Sequence, residues 1–269
     1  MKNITTILSR EFASYFTTPV AYVFILVFLV LSSAFTFYLG QFYERGQADL
    51  LPFFNFHPWL YLFLVPAVSM RLWSEERASG SIELLLTLPI TLWDAILGKF
   101  LAAWLFTGLA LLGTFPLWLS VNYLGEPDNG AIAASYVGSW FMAGAFLAVG
   151  CCLSALTKSQ IVAFILTGTV CLLLVLAGFP LVLNFFQDWV PALILDLIAG
   201  LSIIAHFMAI SKGVFALTDV IYFVAMIGLW LSLTRLVLQA KSAAYRGGYE
   251  RKVKTVVRRG RRGVGLCRG

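Results

Sequence analysis

Charge is what this sequence has least of. Only 12% of its 269 residues are Asp, Glu, Lys or Arg, about half of the roughly 25% found in soluble domains, which excludes an ordinary water-facing surface over most of the chain. Histidine is scarcer still. His57 and His206 stand far apart, form no His-Glu-x-x-His zinc signature, and are read as structural. Cys151, Cys152 and Cys171 fall in apolar stretches and Cys267 near the end, so no even, loop-based cysteine framework implies disulfides. A phosphate-binding loop is missing: the nearest candidate, Gly98–Lys99–Phe100, lacks both the earlier glycine and the following hydroxyl. Without it the chain cannot handle ATP alone. No Gly-x-Ser-x-Gly elbow and no paired aspartates inside an apolar stretch occur, which argues against a membrane-embedded hydrolase.

What the chain has is apolar length. Sixty per cent of residues are hydrophobic, with eight Trp, ten Tyr and 23 Phe, and the mean hydropathy is +0.88. A helix needs about 20 mostly apolar residues to cross roughly 30 Å of hydrocarbon. Six stretches meet this, near Val20–Gly40, Phe53–Met70, Phe100–Tyr123, Val137–Leu156, Ile161–Phe179 and Phe215–Leu238. The first begins ten residues past Arg10 without a small-residue cleavage site and is therefore expected to be a retained span. Between the fifth and sixth, Pro180, Asn184, Asp188, Pro191 and Asp196 interrupt the apolar run. Parity decides their status. With six spans and both termini inside, two basic residues (Arg45 and Lys212) face seven acidic ones outside, whereas 17 basic residues face six acidic ones inside, in keeping with the positive-inside rule. A seventh span would export the tail from Lys241 onward, which holds ten of the basic residues. Helices at 181–210 are accordingly expected to enter the outer leaflet and return, covered by protein or a wet cavity.

The stretch RLWSEERASGSIELLLTLPI at 71–90 lies on the cytoplasmic side in this topology. Gly80 is suited to a left-handed helix end. Ser81 can cap a short helix with Glu83 in its first turn and Pro89 ending it, and Thr91 with Asp94 approximates a capping box that launches the third span. This short helix presents Ile82, Leu84, Leu85, Leu86 and Leu88 beside Glu75, Glu76, Arg77 and Glu83. Three acids and one base at 74–88 make adhesion to anionic lipid unattractive. Two readings remain from composition: a docking peg for another protein, or a solvated loop that merely orients two spans. At the N-terminus, Ile4, Ile7, Leu8, Phe12, Tyr15 and Phe16 fall near one face at helical spacing, which suits an interfacial helix; a frayed terminus is the alternative. Gly138, Ser139, Ala143, Gly144, Ala145, Ala148 and Gly150 favour close packing along the fourth span. Tyr38, Phe42, Tyr61, Trp118 and Tyr123 near the outer end are read as belt or core.

The segments REFASYFTTPVAYVF and EERASGSIELLLTLP, the tight turn LTKSQ at 156–160 and the broken segment before the last span together resemble the permease subunits of type-2 ABC exporters, particularly the gliding-motility-associated branch. The resemblance implies an all-α membrane fold: six transmembrane helices, an N-terminal amphipathic helix, a cytoplasmic coupling helix and re-entrant outer-leaflet helices, in one transmembrane domain at 1–240. It implies that Glu75, Glu76, Arg77, Gly80 and Glu83 couple to an ATP-binding cassette subunit, with Ile82, Leu84, Leu85 and Leu86 as apolar contacts. ATP and Mg would be bound by that partner, and none by this chain. The chain would be a non-catalytic permease of the bacterial inner membrane, multi-pass, acting as a homodimer or with a second permease subunit, with membrane lipid around it and an accessory extracytoplasmic protein as a further partner. No nucleic acid partner is expected.

The basic segment 241–269 matches nothing in that family. Its arginines and glycines predict a cytoplasmic tail, disordered in isolation, near lipid. Cargo is not encoded legibly; aromatic walls would suit an amphipathic or lipid-linked solute over a small ion. Alternatives in other classes are an ATP-independent secondary transporter, which calls for ionisable residues at span midpoints and inverted repeats, and a membrane-embedded enzyme, which calls for a convergent polar triad. Neither feature stands out.

Overall fold

The computed structural model describes residues 2–82, 90–179, 182, 184, 191, 199–213 and 216–265, from 242 onward as backbone alone. Helix α1 (Lys2–Thr17) ends where Thr18 turns extended, and Pro19, whose ring suits the first helical turn, opens α2 (Pro19–Ala34). A π-helical turn, Phe35–Leu39, closes that span. Helix α3 (Leu51–Ser69) carries Pro58 and Pro66 internally and passes through a turn at Met70 into α4 (Arg71–Ser79). Helices α5 (Leu92–Leu112) and α6 (Phe115–Leu124) are separated at Gly113 and Thr114, with Pro116 in the first turn of α6. Then follow α7 (Asn129–Leu156), α8 (Gln160–Leu176), α9 (Ile203–Ser211) and α10 (Leu217–Gly265).

Among the described residues five helices are long and apolar enough to cross a membrane: Ala21–Leu39, Leu51–Ser79, Leu92–Leu124, Asn129–Leu156 and Leu217–Lys241. Each overlaps an expected span. The fifth expected span corresponds to α8, which has 17 residues and, at a rise of 1.5 Å per residue, extends about 26 Å, short of the hydrocarbon thickness. Most of 181–198, where re-entrant helices are expected, lies outside the described residues; α9 follows it, started by Ser202, whose hydroxyl accepts from Ala205 N–H at 3.2 Å. The backbone of α10 runs on past the span as helix to Gly265. Extension of a helix already nucleated in the span adds one hydrogen bond per residue without a new nucleation cost.

Helix α7 is the hub, in contact with α3, α4, α5, α8, α9 and α10. Its small residues create the access: Gly138, Ser139, Ala143, Gly144, Ala145, Ala148 and Gly150 are all buried. A Cβ at Gly138 would lie 2.8 Å from Ile210, and one at Gly144 would lie 2.8 Å from Trp104. The indole N–H of Trp104 donates to the Trp140 carbonyl at 2.8 Å, and the Trp140 indole returns a bond to the Trp104 carbonyl at 3.2 Å. Such reciprocal bonds satisfy both indoles where no water is at hand.

Three contacts fix how α3 and α4 lie on α7. Tyr61 pairs with Ser139, Trp73 donates to Cys151 Sγ, and Arg77 donates to the Ala155 carbonyl, each partner 78 positions further along the chain. A constant offset means that the two stretches run in the same direction without slipping. From Ser139 to Ala155, near the end of α7, they behave as one rail.

Candidate functional site

The features that isolate α4 as a site are its two ends and its inward face. Met70 continues helical from α3, and Gly80 ends α4 with φ +76°, a conformation that glycine adopts without Cβ strain. Ser79 and Ser81 hydroxyls meet at 2.9 Å across that end. Ser81, expected as the cap of the next helix, is itself helical, as is Ile82; its hydroxyl is taken up by Ser79 and by the Glu76 carbonyl at 3.4 Å. The expected capping box is present: Asp94 N–H donates to Thr91 Oγ1 and Thr91 N–H to Asp94 Oδ2, both at 3.2 Å.

Inward of α4 sits a charge triad. Lys99, 5% exposed on α5, places its ammonium 2.9 Å from Glu76 Oε1 and 3.1 Å from Glu11 Oε1, and 5.5 Å from the Trp73 ring centroid. A lysine this buried is stable as a cation only when paired and hydrogen-bonded. The triad therefore joins α1, α4 and α5. Helix α1 reinforces it: Ile7 packs where a Cβ on Gly98 would stand, 2.6 Å away, and Tyr15 stacks on Phe106 at 4.8 Å. Burial, and after it the Glu11 carboxylate, push the Tyr15 phenol above its ordinary range, so it stays neutral. A frayed N-terminus is overturned by these contacts.

Arg77 makes the second tether. Its guanidinium donates to the Ala155 carbonyl at 2.7 Å, and Lys241 Nζ reaches the Ala155 and Leu156 carbonyls at 3.0 and 2.7 Å. Two cations thus meet the carbonyl end of α7, where the helix macrodipole favours positive charge. Arg77→Ala is expected to cost about 1.5 kcal/mol, read as a fall in melting temperature of the purified protein; Lys241→Ala in addition should deepen that fall.

Of the residues singled out from sequence, Glu76 and Arg77 turn to partners inside the chain, Glu75 is exposed, Gly80 ends the helix and Ile82 is buried. Glu83, Leu84, Leu85 and Leu86 lie outside the described residues. The sequence reading missed Lys99 and Glu11 as partners of this helix and Trp73 as its anchor on Cys151; an isolated lysine inside an apolar run was the one signal pointing to a paired charge.

A second polar cluster, around His206, ties α9 to α10. His206 Nδ1 lies 2.6 Å from Asp219 Oδ1 and Nε2 lies 3.2 Å from the Gly200 carbonyl, while the ring stacks on Tyr222 at 4.0 Å. Tyr222 donates to the Leu201 carbonyl at 2.6 Å. A neutral imidazole can donate to only one of the two oxygens it faces, the imidazolium to both. Asp219→Ala is expected to raise hydrogen exchange in 203–211 about tenfold, equivalent to about 1.4 kcal/mol, with no change in the exchange of α5. His57, by contrast, is fully buried, its Nδ1 on the Phe53 carbonyl at 2.9 Å among Phe28, Phe53, Phe54 and Tyr61. No group of three or more metal-ligating side chains occurs among the described residues.

The described residues thus form a multi-pass helical body, five of whose helices are long and apolar enough to cross a membrane, with α4 held at the end of α3. Comparison with protein families makes this specific: residues 5–219 match the family described as ABC-2 family transporter protein. The chain belongs to that family and is a transmembrane permease of an ABC transporter. A search of curated proteins finds no match.

Proposed function

We propose that this permease couples ATP hydrolysis by a separate ATP-binding cassette subunit, which holds ATP and Mg, to export or to extracytoplasmic work, with residues 71–90 as the coupling segment. One observation supports this above the others: α4 is tied rigidly to three helices at once, through Glu76–Lys99 to α5, through Lys99–Glu11 to α1, and through Trp73 and Arg77 to α7. A push on α4 from a closing partner would move these helices as a body, which is rigid-body coupling between two states. Glu75, Gly80, Glu83, Leu84, Leu85 and Leu86 are the residues assigned to contact the partner; Glu76 and Arg77, with the buried Ile82, are positioning residues that carry the motion inward. α8, extended by the turn after Leu176, serves as the remaining span of six, and both termini lie in the cytoplasm of a bacterial inner-membrane protein. The working unit is a homodimer or a pair with a second permease, of the gliding-motility-associated type, with an accessory extracytoplasmic protein where the output is mechanical.

The test is purification of the tagged chain from its native membrane. An ATPase bearing a Gly-x-x-x-x-Gly-Lys-Ser/Thr loop should copurify, and Leu84→Glu with Leu85→Glu should reduce its recovery at least tenfold while leaving the melting temperature of the permease within a degree or two. Full recovery with the double variant would refute the assignment of the face.

A further inference from the structure

A cavity of about 680 Å³ lies between α1, α2 and the α3–α4 rail, against the charge triad. One end is ionic, lined by Glu11, Arg71 and Glu76; the other is apolar, lined by Val27, Leu64 and Phe106. It opens sideways beside α2, where the lining residue Val23 is 58% exposed. Two atoms of the ionic end are buried without a hydrogen-bond partner: Arg71 Nε, a donor on a cation, and Glu76 Oε2, an acceptor on an anion. The other Glu76 oxygen is occupied by Lys99. Buried polar atoms of this kind are rare in folded proteins because an unmet donor or acceptor loses its hydration without replacement. Both atoms belong to residues that line the cavity.

We propose that this cavity binds one zwitterionic phospholipid with a primary ammonium headgroup, a phosphatidylethanolamine of the cytoplasmic leaflet. Its phosphodiester accepts from Arg71, its ammonium donates to Glu76, and part of an acyl chain fills the apolar end. The complement of one unmet cationic donor and one unmet anionic acceptor in the same cavity is a molecule carrying both charges. A headgroup of net negative charge is disfavoured, since Glu11, Glu75 and Glu76 outnumber Arg71 and Lys99 in the lining, and a quaternary ammonium has no N–H for Glu76. The volume falls within the range of roughly 300–1,000 Å³ usual for ligand pockets, room for a headgroup and a portion of one chain. Lipid in this position would wedge the first span against the coupling helix. The inference rests on the proposed topology, which sets α1 and α4 at the cytoplasmic face.

The full-length protein, delipidated in detergent and then exposed to mixed micelles of equal phosphatidylethanolamine and phosphatidylglycerol, is read by native mass spectrometry. One phosphatidylethanolamine per chain should be retained over phosphatidylglycerol by at least tenfold. Arg71→Gln should lower that retention at least tenfold, and so should Val27→Trp, which fills the apolar end without touching either ionic group. Soluble glycerophosphoethanolamine should not compete at equal concentration; competition as strong as the lipid's would place the recognition in the headgroup alone and overturn the lipid assignment. Equal retention by wild type and both variants, or a preference for phosphatidylglycerol, would also overturn it. Copurification of the ATPase is measured separately: lipid failure with the ATPase still bound removes this inference alone, whereas labelling of a Ser79→Cys variant by a membrane-impermeant maleimide from the extracytoplasmic side removes the topology on which both stand.

Discussion

Glu76→Lys is expected to abolish most folded protein in the membrane. The substitution sets a second ammonium against Lys99, which is 5% exposed and holds Glu76 at 2.9 Å, and leaves Glu11 alone to face two cations. Breaking a buried ion pair from one side costs about 3–5 kcal/mol, mostly because the surviving charge stays buried without its partner; reversing the sign adds repulsion to that. A total stability of about 5–15 kcal/mol leaves little margin. Glu76→Gln is the informative control: an amide oxygen still accepts from Lys99 and Glu11 still neutralises it, so the loss should be a fraction of that seen for lysine. Detergent-solubilised yield and melting temperature decide the matter. A Glu76→Lys protein that melts with the wild type would show that the triad does not hold α1, α4 and α5 together.

The second large effect is expected at Gly150, where α7 meets α3 and α8. A Cβ there would fall on the side chain of Ser69 and within 3.1 Å of Thr167, both fully buried, so the helices have no room to yield without separating. Gly150→Val should cost at least the 1–3 kcal/mol typical of overpacking and lower the yield of folded protein severely. Because the collision is with one short side chain, Ser69→Gly should recover a measurable part of the loss in the smaller variant Gly150→Ala. Failure of that rescue would place the damage elsewhere, in the helix propensity of α7 or its contact with α8.

The parts of this molecule that could be read from sequence are those whose cause is local. Gly80 and the Thr91–Asp94 box announce themselves because a left-handed helix end and a reciprocal cap involve residues within one turn of each other. Span positions follow from apolar length alone, and the small residues of α7 from their spacing. The charge triad was not legible in the same way, since Glu11 and Lys99 are 88 positions apart and only folding brings α1 against α5. For the same reason Glu76 and Arg77 read as outward-facing charges in a polar loop, although one turns to Lys99 and the other to the carbonyl end of α7. His206 and Asp219, 13 apart, belong to different helices and looked like separate polar residues near an outer rim. Tyr38 and Tyr123 are exposed whereas Phe42 and Tyr61 are buried, a division that composition does not reveal. The length of α8 and the helical course of 241–265 depend on where one helix stops and another is extended, the least legible feature of any sequence.

Photo-crosslinking from position 85 tests the central claim most directly. With p-benzoylphenylalanine in place of Leu85 and a second sample carrying it in place of Tyr123, which the proposed topology sets at the extracytoplasmic face, irradiation of intact cells should yield a covalent adduct between the first and an ATP-binding cassette subunit, enhanced or diminished by ATP, and none from the second. An adduct from position 123 but not from 85, or only lipid attached at 85, would contradict the account.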